Sequence, residues 1–167
     1  MSEHTDLIIV GGGISGASLL YAVAKFTDVD DVTLIEKERE IAAINSNRTN
    51  NSQTLHVGDI ETNYTLEKAE EVKEGAELLA GYLEGADPDR EMHSKRSKMV
   101  LGVGDEEAEK LEQRYHDEGF GDLFPKLREI GREEIEALEP KVVEGRDPNT
   151  SLKALQTPDG YVVDYGA

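Results

Sequence analysis

The 167-residue chain contains no cysteine. That excludes a disulfide framework, a thiolate metal site and a cysteine nucleophile. No apolar run approaches the about 20 residues that cross a bilayer as a helix. The first residues lack the basic start and apolar stretch of a secretory signal. Basic residues are scarce: 18 Lys+Arg stand against 36 Asp+Glu, a formal net charge of −18. Nucleic acid is excluded as a partner, because binding it needs a basic face that displaces counterions. Electrostatic docking on anionic lipid is disfavoured for the same reason. The acids fall beside apolar helical faces, as at Glu67, Glu70, Glu71, Glu74 and Glu77, so they read as a solvated surface. Such a surface self-repels and suits a high-salt cytoplasm. A cytoplasmic protein is expected, with peripheral attachment to the inner face of the membrane left open.

What is present begins with Leu7, Ile8, Ile9 and Val10, four large aliphatic residues followed at once by glycine. They predict a buried parallel strand. Ala17, Leu20, Tyr21 and Ala24 then recur at helical spacing. Between strand and helix, Gly11, Gly13 and Gly16 form G-x-G-x-x-G. The first glycine permits a tight turn, the second lets a pyrophosphate approach the backbone, and the third lets helix and strand pack closely. Amides of the helix's first turn, Ser15 among them, would face the phosphates at the positive end of the dipole. A second strand, Val32 to Ile35, ends at Glu36, about 20 residues on, where a carboxylate accepts from ribose hydroxyls. The alternative is a structural βαβ turn without a ligand. The ordered context favours a dinucleotide.

A plain nucleotide unit would continue with a helix and a third strand. Here a stretch rich in amides and hydroxyls intervenes, from Asn45 and Ser46 through Asn51, Ser52, Gln53 and Thr54. Composition alone reads it as a surface loop; its position beside the glycine turn suits hydrogen bonding along a large cofactor. The run that follows from Asn51, N-S-Q-T-L-H-V-G-D-I-E-T-N-Y-T, resembles the corresponding segment of malate:quinone oxidoreductases, FAD-dependent enzymes of the D-amino-acid-oxidase-like group. More distantly it is similar to L-2-hydroxyglutarate oxidases. The resemblance extends to the Glu139-Pro140 pair and to the closing D-G-Y-V-V-D-Y-G-A.

The resemblance implies an α/β Rossmann-type FAD-binding βαβ unit with the start of a mixed α+β substrate domain, the domain being incomplete. Residues 1–65 would form the FAD-binding part, 66–150 a helical and mixed insertion, and 151–167 the start of a substrate-domain sheet. It implies FAD as cofactor, a 2-hydroxy dicarboxylate as substrate and a quinone as electron acceptor. Gly11, Gly13, Ser15 and Gly16 would hold the pyrophosphate and Glu36 the ribose. Asn45, Ser46, Asn51, Ser52, Gln53 and Thr54 would line the cofactor. His56 would lie near the flavin ring, either merely packed there or as a proton-transfer group. Two other readings are an oxidase of another 2-hydroxyacid and a non-catalytic nucleotide-binding remnant.

Further along, the pattern predicts an acidic helix from Leu66 to Leu83 capped by Thr65, a turn at 85–89 and an antiparallel strand at 97–103. A second acidic helix at 105–118 is stopped by Gly119, and a short helix at 132–138 ends before Pro140. Thr157-Pro158-Asp159-Gly160 between two apolar runs predicts a β-hairpin. His4, His93 and His116 fall in charged stretches and are expected to face solvent. Lys95, Arg96 and Lys98 are either ordinary surface charge or a dicarboxylate-seeking cluster. No metal-ligand spacing and no G-x-S-x-G occur.

Overall fold

The computed structural model describes residues 4–47, 49–50 and 52–164. The chain divides into two compact units, one up to Gln53 and the other Thr54–Val163.

In the first unit, strand β1 (Leu7–Val10), helix α1 (Ile14–Phe26) and strand β2 (Val32–Ile35) form a parallel βαβ hairpin, with Leu7 opposite Val32 and Val10 opposite Ile35. The expected burial of β1 is corrected. Ile9 is buried, whereas Ile8 and Val10 are exposed. Alternate side chains of a strand leave opposite faces, and α1 covers only the face that carries Ile9. The helix register differs too. Val23 is the buried residue, while Tyr21 is turned out, where it meets the Phe26 ring edge-on and accepts a hydrogen bond from Lys25 Nζ.

The second unit is built on an antiparallel sheet of β3 (His93–Val103), β5 (Leu152–Val163) and β4 (Arg128–Gly131), with β5 in the centre. The segments expected as insertion (66–150) and substrate sheet (from 151) thus pack within one unit. Five helices accompany the sheet: α2 (Leu66–Ala86), α3 (Asp105–His116), α4 (Phe120–Leu123), α5 (Arg132–Leu138) and α6 (Pro140–Val143). Thr65 caps α2 by accepting from the Lys68 amide, as its sequence position predicts. The turn after α2 starts at Asp87 rather than Gly85.

The predicted hairpin does not form. Residues 152–163 run on as one strand, because both halves pair with the same neighbour, β3. The register shifts between Arg96 and Lys98, so Pro158 and Asp159 stand opposite Ser97 alone. This bulge accommodates a proline that could not donate to a regular ladder. Gly160 is required beside it, since a Cβ there would stand 2.9 Å from the Arg96 carbonyl oxygen.

Two apolar clusters hold the unit. Ala69, Leu111, Phe120, Phe124, Leu127 and Leu155 form one; Ile130, Ile135, Leu152 and Ala154 form the other. Gly102 lets α3 lie directly on β3, where a Cβ would meet the Glu107 carbonyl oxygen at 2.8 Å. Among the described residues no helix is long and apolar enough to cross a membrane.

Candidate functional site

The glycine turn has the geometry its spacing predicts. Gly11 sits at φ +100°, and its amide donates to the Ile35 carbonyl at the end of β2. Gly16 packs the helix so tightly on the turn that an added Cβ would fall 1.8 Å from the Gly11 carbonyl oxygen. Gly13 is the N-cap of α1 and has no side chain to occupy the amides that follow. The Ile14 amide instead donates to Ser46 Oγ at 3.0 Å. A serine oxygen therefore stands at a helix N-terminus, where an anion's oxygen is favoured. Ser15 lies in the same first turn and is exposed.

Glu36 closes the other side. Its carboxylate accepts from the Gly12 amide at 2.6 Å and from the Glu38 amide at 2.9 Å. The bonds from the Glu38 and Gly12 amides hold its pKa below the ordinary 4.5. Each carboxylate oxygen has lone-pair capacity beyond one such bond, so a hydroxyl can be added without breaking the tether. Gly12 had no role in the sequence reading. A Cβ there would meet Ile41 Cγ2 at 2.9 Å and Glu36 Oε2 at 3.0 Å, so it is glycine because the 36–42 segment folds over the turn. The Ala42 amide, donating to the Gly12 carbonyl, completes that closure.

Between these parts lies a cleft of about 170 Å³ lined by Gly13, Glu36, Ala42, Ala43, Ile44, Asn45 and Ser46. Of the predicted cofactor residues, Gly13, Glu36, Asn45 and Ser46 therefore meet. Beyond them the amide-rich stretch bonds largely to itself: Asn47 Oδ1 accepts from the Thr49 amide, and Asn50 Nδ2 donates to the Ile44 carbonyl. Those are backbone-mimicking turns. Ser52 is exposed, and Gln53 adopts φ 57°; neither lines the cleft. Asn51 lies outside the described residues. Thr54 belongs to the second unit, where it bridges Val162.

His56 is also in the second unit. Its Nδ1 lies 2.7 Å from Glu61 Oε1; the histidine side chain is 57% exposed and the glutamate 12%. Glu61 in turn is held by α3. Arg114 donates from Nη2 to the Glu61 carbonyl at 2.7 Å and from Nη1 to the Tyr64 carbonyl at 2.9 Å. The guanidinium lies over the Phe120 ring, 3.5 Å from its centroid, and burial pushes its pKa down. Sequence reasoning missed both residues. The available signal was Arg114 at i+3 from Leu111, on the stripe that faces the core.

The same unit carries a cavity of about 440 Å³ with walls from Val57, Ala76, Ala80, Phe124 and Leu127, and with Asp59 and Lys98 among its polar groups. Asp59 is 2% exposed. It accepts from Lys98 Nζ at 2.7 Å, from Thr157 Oγ1 at 2.5 Å and from the Ile60 amide. Lys95 pairs with Glu84 at 2.6 Å. The basic cluster thus includes two lysines already neutralised by carboxylates.

His93 corrects another expectation. It is buried, not solvent-facing, with Nδ1 2.7 Å from Asp87 Oδ2 and its ring stacked on Tyr161. Burial opposes the Asp87 charge, yet bonds from His93 and the 91–93 amides outweigh it and hold the pKa low. His4 and His116 are exposed, as expected.

The model of the family described as FAD dependent oxidoreductase matches residues 6–167. A probable malate:quinone oxidoreductase of Campylobacter jejuni is 43% identical over 171 residues, covering 98% of this chain and 38% of that protein. A malate:quinone oxidoreductase of Helicobacter pylori is 39% identical over 145 residues, covering 87% and 32%. The chain thus spans well under half the length of these relatives. Among solved structures, the FAD-bound L-alpha-glycerophosphate oxidase of Mycoplasma pneumoniae superposes over 98% of this chain and 40% of that one, with TM-score 0.65 at 19% identity. The L-amino acid deaminase of Proteus myxofaciens covers 99% and 34%, with TM-score 0.61 at 20% identity. At such identities the superpositions bear on fold alone. With a family model that matches residues 6–167, this chain belongs to the FAD-dependent oxidoreductases.

Proposed function

We propose that the chain holds FAD through its first unit and serves a malate:quinone oxidoreductase-type enzyme. That enzyme oxidises the 2-hydroxyl of a dicarboxylate such as malate to a ketone and passes the electrons to a quinone. The observation that carries the reading is the open N-terminus of α1. Gly13 has no side chain, the Ile14 amide is met among the described residues by a serine hydroxyl, and a cleft leads from there to Glu36. The residues fit the cofactor: a phosphate oxygen can replace Ser46 Oγ at the Ile14 amide, and Glu36 retains lone pairs for a ribose. Bound FAD supplies the two-electron acceptor, and the protein supplies placement and electrostatics. The choice of malate is supported by the names of the relatives and by their identity across nearly the whole chain.

Residues 151–167 we assign to the beginning of the substrate-domain sheet. A quinone acceptor resides in a bilayer, so the enzyme works at the cytoplasmic membrane face as a peripheral protein. The acidic surface suits a salty cytoplasm.

The test is anaerobic reduction of the flavin in the full-length protein, followed by visible absorbance. Malate bleaches the flavin, and an added quinone restores the absorbance. Bleaching by 2-hydroxyglutarate but not malate moves the assignment to the other oxidase. A desalted full-length protein without flavin absorbance overturns the flavoenzyme reading.

A further inference from the structure

We propose that the cavity of the second unit binds a small monocarboxylate with an apolar tail, its head taken by Lys98 and its tail by the walls around Ala76 and Ala80. The cavity lies wholly within residues 57–161 and measures about 440 Å³, inside the range of about 300–1,000 Å³ for small-ligand sites. Its apolar walls are Val57, Ala76, Ala80, Phe124, Pro125 and Leu127. Ala76 and Ala80 stand one turn apart on the same face of α2, and their methyl groups leave room that longer side chains would fill. Gly160, also in the wall, makes way for Lys98: a Cβ there would stand 2.9 Å from both Cγ and Cδ of that lysine. The lysine stem therefore passes against the glycine backbone on its way to Asp59.

The polar side of the cavity selects the head group. Asp59 is a carboxylate and only accepts, and Thr157 has given its one hydroxyl hydrogen to Asp59 Oδ2. Lys98 Nζ carries three hydrogens, and Asp59 is its one hydrogen-bond partner among the described residues. Of these three side chains the ammonium alone has hydrogens left to give, and it is only 11% exposed. Polar hydrogens shielded from water and left unmet are unfavourable, so the ligand atom that meets them must be an acceptor. A carboxylate is preferred over a carbonyl or hydroxyl because its bond to an ammonium is charge-assisted.

The surroundings admit that one charge. Lys73, Lys95 and Lys126 also line the cavity, and they pair with Glu77, Glu84 and Asp159. The rim is thus charge-balanced in a chain of net charge −18, and a carboxylate meets less repulsion here than at the acidic surface. The Lys126–Asp159 pair is well exposed and so weakly held, which lets Lys126 turn to the same head. A dicarboxylate does not fit, because its second charge would lie against Ala76, Ala80 and Leu127 without a partner.

The test is a titration of the uniformly ¹⁵N-labelled 167-residue chain with sodium octanoate, followed amide by amide. The expected result is saturable shifts at Ala76, Ala80, Lys98, Leu127 and Gly160 that share one dissociation constant. Octan-1-ol, with the same tail and no charge, binds about tenfold more weakly, the gap between a charge-assisted and a neutral hydrogen bond. Succinate gives no saturable shift at those residues. Ala80→Leu fills the walls from a half-buried helix position; it keeps the wild-type circular dichroism and lowers octanoate affinity by about tenfold or more. In the full-length protein, octanoate slows hydrogen exchange across residues 73–80. Shifts scattered over exposed apolar side chains such as Ile8, Val10 and Phe26 overturn the proposal, as does octan-1-ol binding as tightly as octanoate. A folded Ala80→Leu chain with wild-type affinity also overturns it. Octanoate binding to the 167-residue chain without protection of 73–80 in the full-length protein shows the cavity filled there by the rest of the protein, and overturns it too.

Discussion

Replacing Gly16 by alanine separates a helix packed on a cofactor turn from one that merely follows it. The new Cβ would lie 1.8 Å from the Gly11 carbonyl oxygen and 3.0 Å from its carbon. Both obstacles are backbone, so no side chain can swing aside, and α1 has to retreat by roughly 1–1.5 Å. Overpacking of this kind costs about 1–3 kcal/mol, and the backbone obstacle places it at the upper end. Val23 is the one buried side chain that α1 contributes, so little compensates. The same retreat carries the Ile14 amide out of reach of a phosphate. Losing one or two bonds to a charged group, at about 1.5–3 kcal/mol each, weakens FAD binding on the order of 100-fold. Gly13→Ala is the control. Its Cβ would meet only Ser46 Oγ, at 3.4 Å, and φ is −74°. Its stability stays within about 1 kcal/mol of wild type, but the methyl enters the phosphate approach and FAD affinity falls about tenfold or more. Hydrogen exchange of the α1 amides reads the first effect, and FAD titration of the full-length protein reads the second. A Gly16→Ala protein with wild-type exchange in α1 and wild-type FAD affinity would refute the packing argument.

Asp59→Ala leaves the largely shielded Lys98 without its buried partner and Thr157 without its acceptor. Removing one member of a buried pair costs about 3–5 kcal/mol, and the partial exposure of Lys98 places the loss at or below the lower end, read as a lower urea midpoint by circular dichroism; a shift under about 1 kcal/mol contradicts the burial of Asp59. Glu84 is held at a pKa of about 2 by Lys95 and Tyr161, against an ordinary 4.5. Its folded pKa is depressed, so its contribution is complete above 4.5 and is lost as pH falls toward about 2. Glu84→Gln therefore flattens the acid limb of stability in that window, and an acid limb identical to wild type counts against the contact. With a net charge of −18, screening relieves self-repulsion; the thermal midpoint rises with KCl, and a midpoint independent of salt removes the argument for an acidic, salt-adapted surface.

The first βαβ unit is legible from sequence because each of its parts is fixed by a local requirement. Gly11 needs a positive φ, Gly16 needs a close approach, and β2 ends at the acid. The capped α2 and the acidic α3 are legible for the same reason. Long-range pairing is not. Thr157-Pro158-Asp159-Gly160 has the composition of a turn, and only the presence of β3 along both flanks makes it a bulge in one strand. Strand β4 has four residues and is defined by pairing with β5, which no local pattern announces. His93 stands among charged neighbours in sequence, yet Asp87, at the end of the preceding helix, draws it inward. At the candidate sites the residue types were readable, while their partners were not. Ser46 at the Ile14 amide and Glu61 at His56 are contacts made by folded turns.

The most direct measurement is an FAD titration of the uniformly ¹⁵N-labelled chain, followed amide by amide. The account predicts saturable shifts concentrated at Gly11, Gly13, Ile14, Ser15, Glu36 and Ser46. Shifts absent there, or confined to the residues around the 440 Å³ cavity of the second unit, would contradict it.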